Sequence, residues 1–251
     1  MSYLVGGETP GAKAPVRGWV LPLVAVAMAV GMLVYLRLAP LDSIEVRLVA
    51  TDEIVARTLE HVRLVFVSTV VVIAIAVPVG VLLTRPWARL LGAPVLAVAN
   101  AGQSIPSIGV LVLLAILFGI GFWMAVIALV AYAVLPVLRN TMVGIRQVDR
   151  AVIDAGRGMG MSPWQVLMKI ELPLATPVML AGIRVALILN VGVATLATFT
   201  NAGGLGSLIE SGIVFNRMPV LMTGSVLTIS LALLVDWFAG IAEQIVRPRG
   251  L

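Results

Sequence analysis

Six apolar stretches, each crossed by at most one charged side chain, dominate this sequence: residues 19–38, 62–84, 91–118, 122–138, 175–199 and 220–241. A helix needs about 20 apolar residues to cross the hydrocarbon of a bilayer, where each backbone polar group must find its partner inside the segment. Runs of this length predict transmembrane helices. The chain as a whole agrees: of its 251 residues 61% are hydrophobic and 12% charged, and its mean hydropathy is +1.11. A soluble domain of this size exposes too much surface to conceal that apolar content. The expected fold is an all-α integral membrane domain of about six spans over residues 19–251, behind a Gly/Pro-rich tail at 1–18. The first run is too long for a signal-peptide core and is read as a retained helix.

Composition also excludes chemistry. With Cys 0 there is no disulfide framework, thiolate metal site or cysteine nucleophile, and the single histidine, His61, cannot make a histidine metal cluster alone. A net charge of +5 in such a chain points to cytoplasmic loops rather than to nucleic acid. No GxxxxGK[ST] pattern occurs, so any ATP hydrolysis belongs to another subunit. The glycine loop Asn201–Gly206 has no preceding strand and is read as a tight turn, not a dinucleotide site.

Between the spans the chain shows local signals. Residues 39–60 are polar enough to lie in water and should hold a short amphipathic helix. The stretch 91–118 is interrupted by Asn100, Gln103, Ser104 and Pro106, predicting one bent or broken span. Gly119 and Gly121 form a turn before the fourth span. Six spans put both termini on one side. That side carries Lys13, Arg17, Arg85, Arg89, Arg139, Arg146, Arg150, Arg157, Lys169, Arg247 and Arg249, against Arg37, Arg47, Arg57, Arg63 and Arg217 opposite. The excess of cations places both termini, and the loop 139–173, in the cytoplasm.

That loop has its own architecture. Residues 148–159 suit a helix with Arg150 and Asp154 on one face, and Gly160 suits its C-terminal cap. Ser162, Pro163 and Gln165 restart a helix through a capping box, and Leu172-Pro173 closes it. The product is a helix-turn-helix knob with Ala151, Ala155 and Gly156 as a close-packing surface for a soluble partner.

Asp154-Ala155-Gly156, three residues, Gly160, nine residues, then Ile170-Glu171-Leu172-Pro173 resembles the EAA loop of type I ABC importer permeases. Their pattern is Glu-Ala-Ala, three residues, Gly, nine residues, Ile-x-Leu-Pro; here Asp154 replaces the glutamate and Gly156 the second alanine. Further segments around Gln103–Ser107, Leu135–Asn140, Arg157–Met161, Ala181–Arg184 and Ala202–Gly206 are similar to the osmoprotectant subgroup, which moves glycine betaine, carnitine, choline or proline. The likeness covers about residues 60–212.

The resemblance implies a multi-pass protein of the bacterial cytoplasmic (inner) membrane that is not itself an enzyme. A second permease subunit, identical or related, would complete the pore, and a cytoplasmic ABC ATPase dimer holding ATP and Mg would grip the EAA-like loop through Asp154, Ala155, Gly156, Gly160, Ile170, Leu172 and Pro173. An extracytoplasmic binding protein would deliver solute. This chain would need no cofactor of its own and no nucleic acid, only membrane lipid around it.

A translocation path is expected along Asn100, Gln103, Ser104, Pro106 and Asn190, with Thr195, Thr198 and Thr200 as weaker candidates, since polar groups at membrane depth are tolerated where they face protein or water. Inter-helix hydrogen bonding is the competing account. Arg184 and Asp236, within spans, are expected to pair or to snorkel to the interface. A secondary transporter or channel would use such a pair for coupling but would need no docking knob, and a permease for another small solute such as an amino acid shares much of the same pattern.

Overall fold

A computed structural model describes residues 17–246 of the chain, and all regular structure among them is helical. The expected tail therefore lies outside the described residues except at its last two positions, as do Arg247 and Arg249. Helix α1, Arg17–Leu38, is the first span. The expected short helix follows as α2, Ser43–Leu48, started by a capping box in which Asp42 accepts from the Glu45 amide and Glu45 accepts from the Asp42 amide.

Helix α3 is Thr51–Leu83, beginning well before the expected residue 62. At 1.5 Å per residue it extends about 50 Å, beyond the hydrocarbon thickness. Asp52, Glu53, Arg57 and Glu60 are good helix surface residues, and Arg57 pairs with both Glu53 at 2.7 Å and Glu60 at 3.0 Å. Polarity marked where the membrane ends, not where the helix does.

A 3-10 turn at Pro86–Leu91 leads into α4, Gly92–Ser104, and α5, Ser107–Phe118, follows across Ile105-Pro106. The two halves are bent by 93°, so the expected broken span is one, with a right-angled break. Helix α6, Phe122–Arg146, continues eight residues past its expected end. Helix α7, Arg150–Gly158, and α8, Pro163–Val166, form the expected knob.

The expected helix end at Leu172-Pro173 is absent. A π turn at Leu167–Glu171 joins α8 to α9, Leu172–Val193, and a 3-10 turn extends it through Ala194–Thr200, giving one run of 38 residues. The Leu172 amide bonds back to the Leu167 carbonyl, five residues away. Pro173 sits directly after this widened turn, which accommodates its ring and missing N–H where a regular turn would break. Helix α10, Gly206–Val214, and the span α11, Met218–Val246, follow among the described residues.

Among the described residues five continuous helices are long and apolar enough to cross a membrane, six when the bent pair counts as one. Helix α6 is central, packed by α3, α4, α5 and α9, while α1 lies along α11. The α6–α9 crossing is close because a Cβ on Gly182 would meet Asn140 Cβ at 2.6 Å and one on Gly144 would meet the Ala175 carbonyl at 3.0 Å. Leu64, Leu111, Leu129 and Val191 are fully buried between these helices. Leu23, Phe66 and Ile116 face outward, as they should in lipid.

Candidate coupling loop and broken span

Helix α7 is held at both ends by its own sequence. Asp149 accepts from the Ala151 amide at 2.9 Å. At the other end Gly160 takes φ +83°, its amide bonds to the Arg157 carbonyl and the Met161 amide to the Gly156 carbonyl. That pair of bonds is a Schellman close, which needs the left-handed residue glycine supplies. The Ser162–Gln165 capping box then starts α8, with both bonds formed, at 2.9 and 3.3 Å.

The knob packs on itself through Gly156, which is buried; a Cβ there would lie 2.5 Å from Ile170 Cδ1 and 3.4 Å from Met161 Sδ. This corrects the expectation that Gly156 joins Ala151 and Ala155 on an exposed surface. The alanines are exposed; Gly156 faces inward, because a helix this short must bury one stripe against α8 and the π turn to be stable. The outward surface carries apolar groups that the spacing did not single out: Val152, Met159, Trp164 and Met168 are all exposed. Asp154 is also exposed, its one ion pair a loose 3.9 Å contact with Arg157. Leu172 and Pro173 belong to the first turn of α9.

One contact here escaped the sequence. The Arg85 guanidinium, just past the end of α3, donates to the buried Glu171 carboxylate at 2.5 Å and to Thr84 Oγ1 at 2.9 Å. Glu171 is the variable position of Ile-x-Leu-Pro, and Arg85 read as an interfacial anchor. Their 86-residue separation leaves no local signal.

The path candidates fall into two groups. At the break, Gln103 Nε2 donates to the Tyr132 carbonyl at 2.6 Å, Ser104 Oγ to the Asn100 carbonyl at 2.9 Å, and Tyr132 OH to the Ile105 carbonyl at 3.1 Å. Asn100, Ser104 and Pro106 are exposed. Asn190 is fully buried instead and donates to Thr69 Oγ1 at 3.0 Å, with Oδ1 unpartnered. Its partner is on α3, whereas that of Gln103 is on α6. Thr195 and Thr200 donate to backbone carbonyls and Thr198 to Glu210, so the threonine series is engaged in packing bonds.

At the opposite end of the bundle from the knob, Glu60 accepts from the Gly204 amide at 2.9 Å. His61, fully buried, accepts from the Leu205 amide at Nδ1 and donates from Nε2 to the Val191 carbonyl. The expected tight turn at Asn201–Gly206 is thus latched to α3. Arg184 meets Asp236 with two bonds and Glu243 at 3.6 Å, the expected pairing plus a second acid.

Residues 76–248 match the family described as binding-protein-dependent transport system inner membrane component. Among curated proteins, the chain is 37% identical over 199 residues to the choline transport system permease protein OpuBB of Bacillus subtilis (strain 168), covering 79% of this chain and 91% of that protein. It is 41% identical over 182 residues to the osmoprotectant import permease protein OsmY of Salmonella typhimurium, covering 71% and 77%. Among solved structures, a chain of the inward-facing MetNI methionine ABC transporter superposes with a TM-score of 0.69 at 29% identity, covering 78% of this chain and 96% of that one.

Proposed function

The chain belongs to the family of binding-protein-dependent transport system inner membrane components, and from that premise we propose that it is the osmoprotectant-translocating permease of an ATP-driven importer. It is a multi-pass membrane protein with the fold of a type I ABC importer permease. Glycine betaine, choline and carnitine are the solutes the reading favours, since relatives named for choline, for glycine betaine/carnitine/choline and for osmoprotectants are 36–41% identical.

The observation that carries the mechanism is the knob. Its caps make α7 rigid, and Val152, Met159 and Trp164 give it an exposed apolar surface beside Ala151 and Ala155. An apolar, pre-formed helix surface of this kind suits a groove on a soluble subunit. In this reading a cytoplasmic ATPase dimer binds ATP and Mg, grips the exposed face of the knob at Val152, Ala155, Met159 and Trp164 and moves it. The Arg85–Glu171 pair and the uninterrupted run from α8 to α9 pass that movement to the spans. A second permease subunit completes the pore, a binding protein supplies solute to the outer face, and the cation bias of the sequence supports a cytoplasmic knob and cytoplasmic termini.

The test is reconstitution with the partner ATPase, a second permease subunit where required, and binding protein in liposomes, followed by uptake of labelled choline and glycine betaine. ATP-dependent uptake is expected. ATP-dependent uptake of methionine alone would replace the solute assignment, and uptake by the chain alone, without ATPase, would remove the importer reading.

A further inference from the structure

Behind the knob lies a half-open cavity of about 700 Å³, bounded by α7 on one side and by the ends of α3 and α6 on the other. Five arginines line it: Arg85 and Arg89 from the turn after α3, Arg146 from the end of α6, and Arg150 and Arg157 from α7. On α7 the lining residues Arg150, Ile153, Asp154 and Arg157 recur at helical spacing, so one face of this short helix turns toward the membrane-side helix ends. The arginines face two acids, Asp154 and Glu171. Glu171 is taken by Arg85 and Asp154 touches Arg157, while Arg89, Arg146 and Arg150 make no ion pair among the described residues.

We propose that this arginine-lined cavity binds the phosphodiester headgroup of an anionic phospholipid. Cations gathered in one concavity repel unless an anion joins them, and the arginine fork matches phosphate oxygens two bonds at a time. The height of the cavity selects lipid as the source of phosphate. The turn carrying Arg85 and Arg89 also exposes Trp87 by 73% and Leu90 by 91%. Those side chains belong at the boundary between headgroups and acyl chains, which puts the neighbouring guanidiniums level with lipid phosphates. The cationic face of α7 points into this cavity, whereas Val152, Met159 and Trp164 remain exposed for a soluble partner. A basic pocket between helix ends at a membrane surface is the usual form of such a site. The assignment rests on the membrane reading above but not on the ATPase contact, and the seated lipid would brace the knob against α3 and α6.

The test uses the whole chain in nonionic detergent, exchanged with phosphatidylglycerol or phosphatidylcholine and examined by native mass spectrometry. Wild type is compared with Arg89→Gln, Arg146→Gln and Arg150→Gln, singly and together, and with the triple lysine variant. Wild type should retain phosphatidylglycerol over phosphatidylcholine. Each glutamine should weaken retention by about fivefold and all three by roughly a hundredfold, with lysine, which keeps the charge but not the fork, restoring only part of it. Retention by the triple glutamine variant within about twofold of wild type would overturn the site. Displacement by inorganic phosphate would assign the cavity to a free anion instead of a lipid. Unchanged lipid retention with lost ATPase co-purification would make it a motor contact. Because lipid retention is read without the ATPase, failure of the importer reading would leave this result intact.

Discussion

Ile170 Cδ1 occupies the space that a side chain on Gly156 would need, 2.5 Å from the position of its Cβ, so the two ends of the EAA-like pattern touch across the knob. The obstructing atom is the tip of a flexible side chain. Gly156→Ala should therefore shift stability by no more than about 1 kcal/mol, the gain in helix propensity offsetting the displaced methyl. Gly156→Leu should cost about 2–3 kcal/mol, and adding Ile170→Ala should recover part of it. Thermal unfolding in detergent, followed by tryptophan fluorescence, measures all three.

Arg85 and Glu171 should respond unequally to removal. The Glu171 side chain is 8% exposed and that of Arg85 24%, so Arg85→Met strands a buried carboxylate while Glu171→Gln leaves a guanidinium that can reach water. Arg85→Met is expected to cost about 3 kcal/mol and Glu171→Gln about 1, with the double variant no worse than Arg85→Met alone. Equal single-variant losses that add in the double would deny the pair any coupling. ATP-driven uptake should fall in both singles, because the pair ties the knob to α3.

Gly160 holds φ +83° with open space around it, so conformation and not crowding restricts this position. Gly160→Asn should cost a few tenths of a kcal/mol and Gly160→Val about 1–2. Co-purification of the ATPase should follow the same order, and Gly160→Asp, which adds charge at the turn, should lose it. Full association of the Val and Asp variants would move the motor contact elsewhere.

Gln103 donates to the Tyr132 carbonyl at the right-angled break. Gln103→Leu removes that bond and a polar group from the candidate path. Uptake is expected to drop by roughly tenfold, with expression and melting temperature near wild type, since one hydrogen bond at a half-buried site is worth about 1 kcal/mol. Uptake unchanged at normal expression would take Gln103 out of the path.

The spans, the break at Pro106, the helix start at Ser162 and the glycine close at Gly160 are all legible in the amino-acid sequence. Each is decided within a few residues, by hydropathy, by a missing N–H, or by a side chain bonding its neighbour's amide. Helix ends are less legible. Helix α3 starts eleven residues early and α6 runs eight residues late, because charged residues beyond the hydrocarbon are as helix-competent as apolar ones within it.

Tertiary structure decided the rest. That Gly156 faces Ile170 instead of a partner, that Glu171 meets Arg85, that His61 joins Val191 to Leu205, and that Asn190 is bonded to Thr69 and not grouped with Gln103 are all pairings across helices. A span announces its length and depth through local hydropathy. Which of its faces meets which neighbour depends on the packing of all the helices together, and no periodicity within one segment encodes that.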